Sequence, residues 1–234
     1  MSDIKYSLII PCYNEEKNIP ILLERCDFVK ERSDLEVILV DNGSTDSSSQ
    51  VLEELIPRYS GCRSIRVAKN QGYGFGILEG LRSAKGEVIG WTHADLQTDP
   101  QDVIEGISLF DKHGSEIFVK GKRYGRPYAD SIFTIGMSFF ESILLKKTLW
   151  DINAQPTMFS RNLFDTWDDP PHDFSLDLFV YFLAKKNNIP CYRFPVMFGK
   201  RANGVSHWNV DWKSKKKFIE RTIEFSLKLK ARYK

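Results

Sequence analysis

The sequence predicts an α/β domain built on a mostly parallel sheet with helices on both faces. Three observations carry that expectation. Short apolar runs alternate with amphipathic stretches through the first half of the chain. The runs are apolar throughout rather than at every second residue, as in strands buried on both faces. The first two are closed by Pro11 and Asp41, and the strand–helix order is that of a doubly covered parallel sheet.

The elements follow in order. Tyr6–Ile10 is the first strand, stopped by Pro11. Asn14 is read as the cap of a helix with Leu22, Cys26 and Val29 on one face. Glu36–Val40 is the second strand, followed by the turn-rich Asp41–Asp46 and a helix over Ser47–Tyr59. Ser64–Val67 is a short third strand, Gly74–Lys85 a glycine-rich helix ended by Gly86, and Glu87–Thr92 the fourth strand. Val103, Ile107 and Phe110 mark the next helix. The second half is less regular. It reads as a strand at Ile117–Val119, a helix over Phe133–Leu149, a short strand at Met158–Ser160 and a helical turn at Arg161–Asp165. A helix over Phe174–Lys186, a strand over Tyr192–Phe198 and a basic amphipathic helix over 212–234 complete the chain. One domain is expected over 1–210, with halves of about 1–125 and 126–210, and the helix 211–234 is appended to it.

At 234 residues, 42% hydrophobic and 27% charged, the chain can bury one sizeable core. A net charge of +2 makes no case for nucleic acid. The charge is uneven, however. Residues 212–234 hold nine Lys/Arg against two Glu, a net of +7 that leaves −5 for the remainder. Such a tail suits an anionic partner such as a membrane surface. Cys12, Cys26, Cys62 and Cys191 form no CxxC pair and no metal spacing, so free thiols in a reducing cytoplasm are expected. Met1–Lys5 lacks the apolar core of a signal peptide, and no run approaches a membrane-spanning length.

In a parallel sheet the loops after successive strands share one edge, where ligands of open α/β sheets bind. Pro11–Glu16, Asp41–Asp46 and Trp91–Gln97 therefore converge on one cleft. It gathers an aromatic, several carboxylates and turn residues with free backbone N–H groups. Asp95 there can hold a divalent cation against a diphosphate, because hard cations take one or two carboxylates plus substrate phosphates. Neither GxGxxG nor GxxxxGK[ST] is present.

Four ordered motifs, Ile9–Glu15, Val40–Asp46, Asn70–Gly72 and Ala94–Pro100, resemble those of glycosyltransferase family 2. They are most similar to its dolichyl-phosphate mannose synthase-like branch, strongly over about 6–125 and more loosely to about 207. The resemblance implies the A-type glycosyltransferase fold and inverting transfer from a nucleotide diphospho-sugar. It places Pro11, Tyr13 and Glu15 around the nucleoside, Asp41 on the base and Lys69 near the diphosphate. Asp95 falls on the metal and β-phosphate, with Gln97 beside it. Gly121–Tyr124 is similar to the family's Gly-Ser-Arg-Tyr and singles out Arg123. Arg201, in the run Arg201–Ser206, resembles the late Arg of a loop closing over the phosphates, and Ser206 joins the donor-binding set.

Three departures stand out. His93 occupies the first Asp of Asp-X-Asp, and imidazole can ligate Mn²⁺ whereas Mg²⁺ prefers oxygen. The metal set is thus Asp95, His93 and Gln97, with Mn²⁺ or Mg²⁺. Asn42 replaces the second Asp of Asp-Asp-Gly-Ser, and Asp151–Thr157 replaces a glycine-rich acceptor segment.

The acceptor is read as a polyprenyl phosphate, already ionised at neutral pH. Arg123, Arg126, Arg201 and the tail lysines favour it. Asp173 and Asp151 are the candidate bases should the acceptor instead be a glycan hydroxyl, as in surface-polysaccharide assembly. A catalytically weak nucleotide-sugar binder is the reading from another class. In the lipid-using branch the Phe133–Leu149 region, with Met137, Phe140, Ile143 and Leu144, resembles an interfacial helix. The tail, with Phe218, Ile219, Ile223 and Leu227 on one face, is a second membrane contact. A peripheral protein at the inner membrane face is expected, with homo-oligomerisation left open.

Overall fold

The computed structural model describes residues 4–125, 128–203 and 212–233, and the side chains of 128–133, 212–215, 217 and 218 lie outside the description. Seven strands form one sheet: β1 Tyr6–Cys12, β2 Leu35–Asp41, β3 Cys62–Arg66, β4 Val88–Trp91, β5 Phe118–Tyr124, β6 Thr157–Ser160 and β7 Cys191–Met197. Their spatial order is β3-β2-β1-β4-β6-β5-β7. The β1–β2, β1–β4, β2–β3 and β5–β7 pairs are parallel. Only β6 is reversed, antiparallel to both β4 and β5. Six strands therefore present their carboxyl ends to one edge, and β6 begins there.

The helices are α1 Ile19–Arg25, α2 Ser48–Leu55, α3 Tyr73–Ser83, α4 Val103–His113, α5 Tyr128–Leu145, α6 Arg161–Asp165, α7 Ser175–Lys186 and α8 Trp212–Arg232. Each strand feeds two cores. Leu8 and Ile10 of β1, with Val37 and Leu39 of β2, pack under Leu22, Leu23 and Ile107. Ile9, Ile38 and Val40 on the other face pack under Ile77, Leu81, Phe179 and Leu229. This double burial is why the strands read as unbroken apolar runs. Leu229, at 2% exposure, ties α8 into the second core.

Several boundaries differ from the sequence reading. Asn14 does not cap the first helix. It turns at φ +56°, and its side-chain oxygen accepts a hydrogen bond from Thr45 N at 2.9 Å. The helix starts at Ile19 instead, with Asn18 before it and Pro20 in the first turn, where Pro is tolerated. Cys26 and Val29 fall at and beyond its end, on a 3₁₀ turn, although both are buried. Pro57 ends the next helix early by removing a donor, so α2 stops at Leu55. The third strand begins two residues earlier, at Cys62.

Helix α5 starts and ends before the expected Phe133–Leu149, and its apolar face points outward as an interfacial helix requires. It spans 128–145, and among its described side chains the buried stripe is polar, Ser138 and Glu141 with Leu145. Ile135, Phe139, Phe140 and Ile143 face outward, Phe139 at 65% exposure. The sense of amphipathicity is reversed relative to a helix packing its apolar face on the core.

Candidate active site

A cavity of about 600 Å³ opens along the carboxyl edge of the sheet, within the size range of small-molecule sites. The strand-end loops build it. Pro11 and Tyr13 follow β1, Asn42 follows β2, His93 to Gln97 follow β4, Arg123 ends β5, and Phe198 and Arg201 follow β7. Two glycines let these loops meet. Gly43 has φ +71°, and a Cβ there would lie 2.4 Å from Asn70 N. A Cβ on Gly76 of α3 would lie 2.7 Å from the Asn42 side chain, whose Nδ2 donates to Gly72 O at 2.9 Å.

Asp95 is 8% exposed. Its Oδ1 accepts from Gln97 N at 3.1 Å, and its Oδ2 lies 3.0 Å from Arg201 Nη2. Between the two residues Leu96 is held at φ +59°, a strained bend of the kind that clusters at functional sites. The segment carrying Arg201 is zipped onto this bend. Gly199 N donates to Gln97 O at 2.7 Å, Gln97 Nε2 donates to Gly199 O at 3.2 Å, and Asn203 Nδ2 donates to Asn18 Oδ1 at 2.9 Å.

His93 stacks on Tyr73, centroids 5.4 Å apart. Burial lowers its pKa against the pull of Asp95, so the imidazole is neutral at pH 7. Burial also raises Glu15, which accepts from Asn18 Nδ2 and lies near Asp95 and Arg201. Among the described residues no three His, Cys, Asp or Glu form a metal cage. One carboxylate and a neutral imidazole suit a cation that draws its other ligands from phosphate and water.

Not every expected residue reaches the cavity wall. Pro11, Tyr13, Glu15, His93, Asp95, Gln97, Arg123 and Arg201 do. Asp41 sits behind it, 2% exposed, with Oδ1 accepting from Ser44 N at 2.9 Å and Arg66 Nε 3.5 Å from Oδ2. Lys69 is solvent-exposed and off the wall. Asp151 is engaged elsewhere. It accepts from Arg123 N at 3.0 Å and Arg123 Nε at 2.8 Å, with Arg193 Nη2 at 3.7 Å. Burial raises its pKa, but Arg123 outweighs that and holds the carboxyl below its usual value. Asp173 is also off the wall. It accepts from Ser175 N at 2.9 Å ahead of α7, and Arg221 Nε lies 3.6 Å away. Ser206 and Arg126 lie outside the described residues.

Several wall residues were not singled out in the sequence, among them Tyr73, Glu141 and Asp177. Asp177, one helical turn past Asp173, is fully buried and lines the cavity. Its Oδ1 accepts from Gln155 Nε2 at 2.6 Å and Trp91 Nε1 at 3.3 Å, with Lys120 Nζ at 3.8 Å. The cavity also extends between α5, α7 and α8, past Met137, Ser138, Glu141, Leu178 and Arg221.

The cavity lies where ligands of open α/β sheets bind, and comparison with known proteins narrows the class. The family model for glycosyl transferase family 2 matches residues 7–168, and the chain belongs to that family. Undecaprenyl-phosphate 4-deoxy-4-formamido-L-arabinose transferase of Pseudomonas fluorescens (strain Pf0-1) is 38% identical over 124 residues, 50% of this chain and 36% of that protein. Dolichol-phosphate mannosyltransferase of Pyrococcus furiosus is 35% identical over 121 residues, 52% of this chain and 34% of that protein. The chain thus matches about a third of the length of these relatives.

Solved structures agree in fold. Glucosyl-3-phosphoglycerate synthase of Mycobacterium tuberculosis, in complex with uridine-diphosphate, superposes with a TM-score of 0.72 at 18% identity, covering 96% of this chain and 79% of that one. A mannosyltransferase of Pyrobaculum calidifontis, in complex with GDP-Man and Mn²⁺, gives 0.60 at 19% identity, covering 86% and 58%. The fold is the A-type glycosyltransferase fold.

Proposed function

We propose that this chain transfers a sugar, with inversion, from a nucleotide diphospho-sugar to a polyprenyl phosphate at the cytoplasmic membrane face. The observation that carries the reading is the arrangement of Asp95 against Arg201, with Arg123 on the same cavity wall. A carboxylate for a cation and two guanidiniums for phosphate oxygens are what a diphosphate leaving group and a phosphate acceptor require. The names of the relatives, one a dolichol-phosphate and one an undecaprenyl-phosphate transferase, support the acceptor.

In this reading Pro11, Tyr13 and Glu15 surround the nucleoside, and Asp41 reaches the base from behind the wall with Oδ2, which has no hydrogen bond of its own. Lys69 approaches the diphosphate from outside, and Ser206 completes the donor set. Asp95 holds the divalent cation, Mn²⁺ or Mg²⁺, with His93 and Gln97 beside it. The bound cation would neutralise charge on the departing diphosphate. Arg201 moves from Asp95 to the phosphates when they arrive, while Asp151 keeps Arg123 fixed toward the cavity. No base is needed, because the acceptor oxygen is already ionised.

Peripheral membrane contact is supported by the outward apolar face of α5, Ile135, Phe139 and Ile143 at helical spacing. Among the described residues no helix is long and apolar enough to cross a membrane. Leu227 at 52% exposure, close to Lys228, adds a similar surface on α8.

The second reading, transfer to a glycan hydroxyl, is favoured by one observation: a carboxylate, Asp177, stands on the cavity wall. The test is kcat with lipid phosphate at saturating donor. Asp173→Asn should keep most of the rate, whereas Arg123→Gln should lose about 10²-fold or more. A collapse for Asp173→Asn with donor binding intact would promote the hydroxyl acceptor.

A further inference from the structure

Three buried polar atoms on one side of the cavity lack hydrogen-bond partners: Asp177 Oδ2, Gln155 Oε1 and the Tyr73 hydroxyl. They belong to one cluster. Gln155 Nε2 donates to Asp177 Oδ1 at 2.6 Å, and because a carboxylate only accepts, this fixes which end of the amide faces Asp177. The Gln155 carbonyl oxygen is therefore the end left over. The Tyr73 hydroxyl lies beside the Trp91 and Gln155 side chains without a satisfied bond to either. Its ring is clamped between Phe174, at 4.4 Å, and His93, at 5.4 Å. Tyr73 and Asp177 both line the cavity.

Unpaired groups of this kind are rare in native interiors and call for a partner. Chemistry restricts what it is. Two of the three atoms are obligate acceptors, so an anionic phosphate, which brings only acceptors, cannot satisfy them. A cation is excluded by Lys120, whose Nζ already stands 3.8 Å from Asp177 and donates to Thr157 Oγ1 at 2.7 Å. What fits is a neutral group that donates to the carboxylate and the amide oxygen and exchanges a bond with the phenol. A sugar hydroxyl does all of this. The location agrees, because Trp91 ends the strand that leads to Asp95, and Tyr73 stacks on His93.

We propose that Tyr73, Gln155 and Asp177 form a hydroxyl-reading subsite that grips the donor's sugar by its ring hydroxyls. The proposal rests on the donor reading above and assigns Asp177 to sugar recognition rather than to proton abstraction. Lys120 and Trp91 are positioning residues that hold the Asp177 carboxyl on one side and leave its Oδ2 free. A site built to hydrogen-bond a hydroxyl rejects analogues that lack or misplace it, because its buried polar groups are then left unpaired.

The test is calorimetric titration of the full chain with Mn²⁺ present. The probes are UDP and GDP alone, then UDP-glucose, UDP-galactose, UDP-N-acetylglucosamine and GDP-mannose. The variants are Tyr73→Phe, which removes one oxygen and keeps the ring stack, and Asp177→Asn. For the sugar nucleotide that wild type binds best, Tyr73→Phe should weaken binding about fivefold and Asp177→Asn tenfold or more. The matching nucleoside diphosphate should change less than about twofold, and selectivity among sugars on one nucleotide should fall toward unity. Equal weakening of the bare diphosphate and the sugar nucleotide would overturn the subsite, as would no weakening of either. If wild type binds neither UDP nor GDP, the donor reading itself falls and the subsite with it. Should Asp177→Asn fail to fold, Tyr73→Phe alone decides, since it disturbs no charge.

Discussion

Arg201 Nη2 stands 3.0 Å from Asp95 Oδ2, so the guanidinium occupies one of the two carboxylate oxygens open to a cation. The other already accepts from Gln97 N. With Asp95 as the proposed cation ligand, a bound cation would compete with Arg201 for that oxygen. Arg201→Gln should tighten binding of Mn²⁺ added alone, while lowering turnover by about 10²-fold through loss of phosphate stabilisation. Mn²⁺ titration without nucleotide, followed by steady-state kinetics, checks both halves. A variant that loses cation binding would show that the two residues cooperate rather than compete.

Asp41 is remote from the reacting carbon in this account. Asp41→Ala should raise the donor KM about tenfold and leave kcat within about twofold, the signature of a uniform binding contact. The same variant loses the hydrogen bond from Ser44 N, so thermal melting must accompany the kinetics.

Much of this site was legible because it hangs on strand ends. Apolar runs closed by Pro11, Asp41 and the segment after Trp91 located one edge, and a parallel sheet brings such ends together whatever the intervening chain does. Pairings remote in sequence were not legible. Nothing local announces that Asp151 will meet Arg123 rather than solvent, or that β6 runs backward. Asp173 and Asp177 differ by one turn, and Asp173 drew notice because His172-Asp173 is similar to the family's Glu-Asp ahead of a helix. Asp177 was absorbed into the apolar run Phe174–Ala184. A lone carboxylate inside such a run was the available signal, since Asp is almost never fully buried without partners. The outward face of α5 was legible only through the resemblance to an interfacial helix. Periodicity reports that one face is apolar, not which face meets the protein.

Glu141 gives a pH signature. Burial raises its carboxyl to about 7, only partly offset by the Ser226 hydroxyl. The folded state therefore holds a proton that the unfolded chain, near 4.5, has released. Between these values the native state binds more protons, so this group's contribution to stability falls as pH rises. Glu141→Gln should leave stability near pH 4 unchanged and raise it above pH 7 by on the order of 1–3 kcal/mol. Denaturant melts at pH 4, 6 and 8 measure this, and an unchanged pH slope would count against a protonated Glu141.

The outward face of α5 should govern membrane contact. Phe139→Ser with Ile143→Ser replaces two exposed apolar side chains, so folding should be unaffected. Partition onto anionic lipid vesicles should fall by about tenfold or more, given roughly 1.5–3 kcal/mol for burying such a side chain. Co-sedimentation at low and high salt separates this apolar term from the contribution of the α8 lysines, which salt screens. Undiminished binding would assign the contact to α8 alone.

The central claim is that Asp95 and its arginines serve sugar transfer to a lipid phosphate. The most direct measurement is the fate of radiolabelled sugar from a donor panel offered undecaprenyl phosphate and dolichyl phosphate in detergent with Mn²⁺. Label from one donor should enter the lipid phase, with the yield lost in Asp95→Asn. Label that reaches only a glycan hydroxyl, or lipid product that Asp95→Asn makes as fast as wild type, would contradict it.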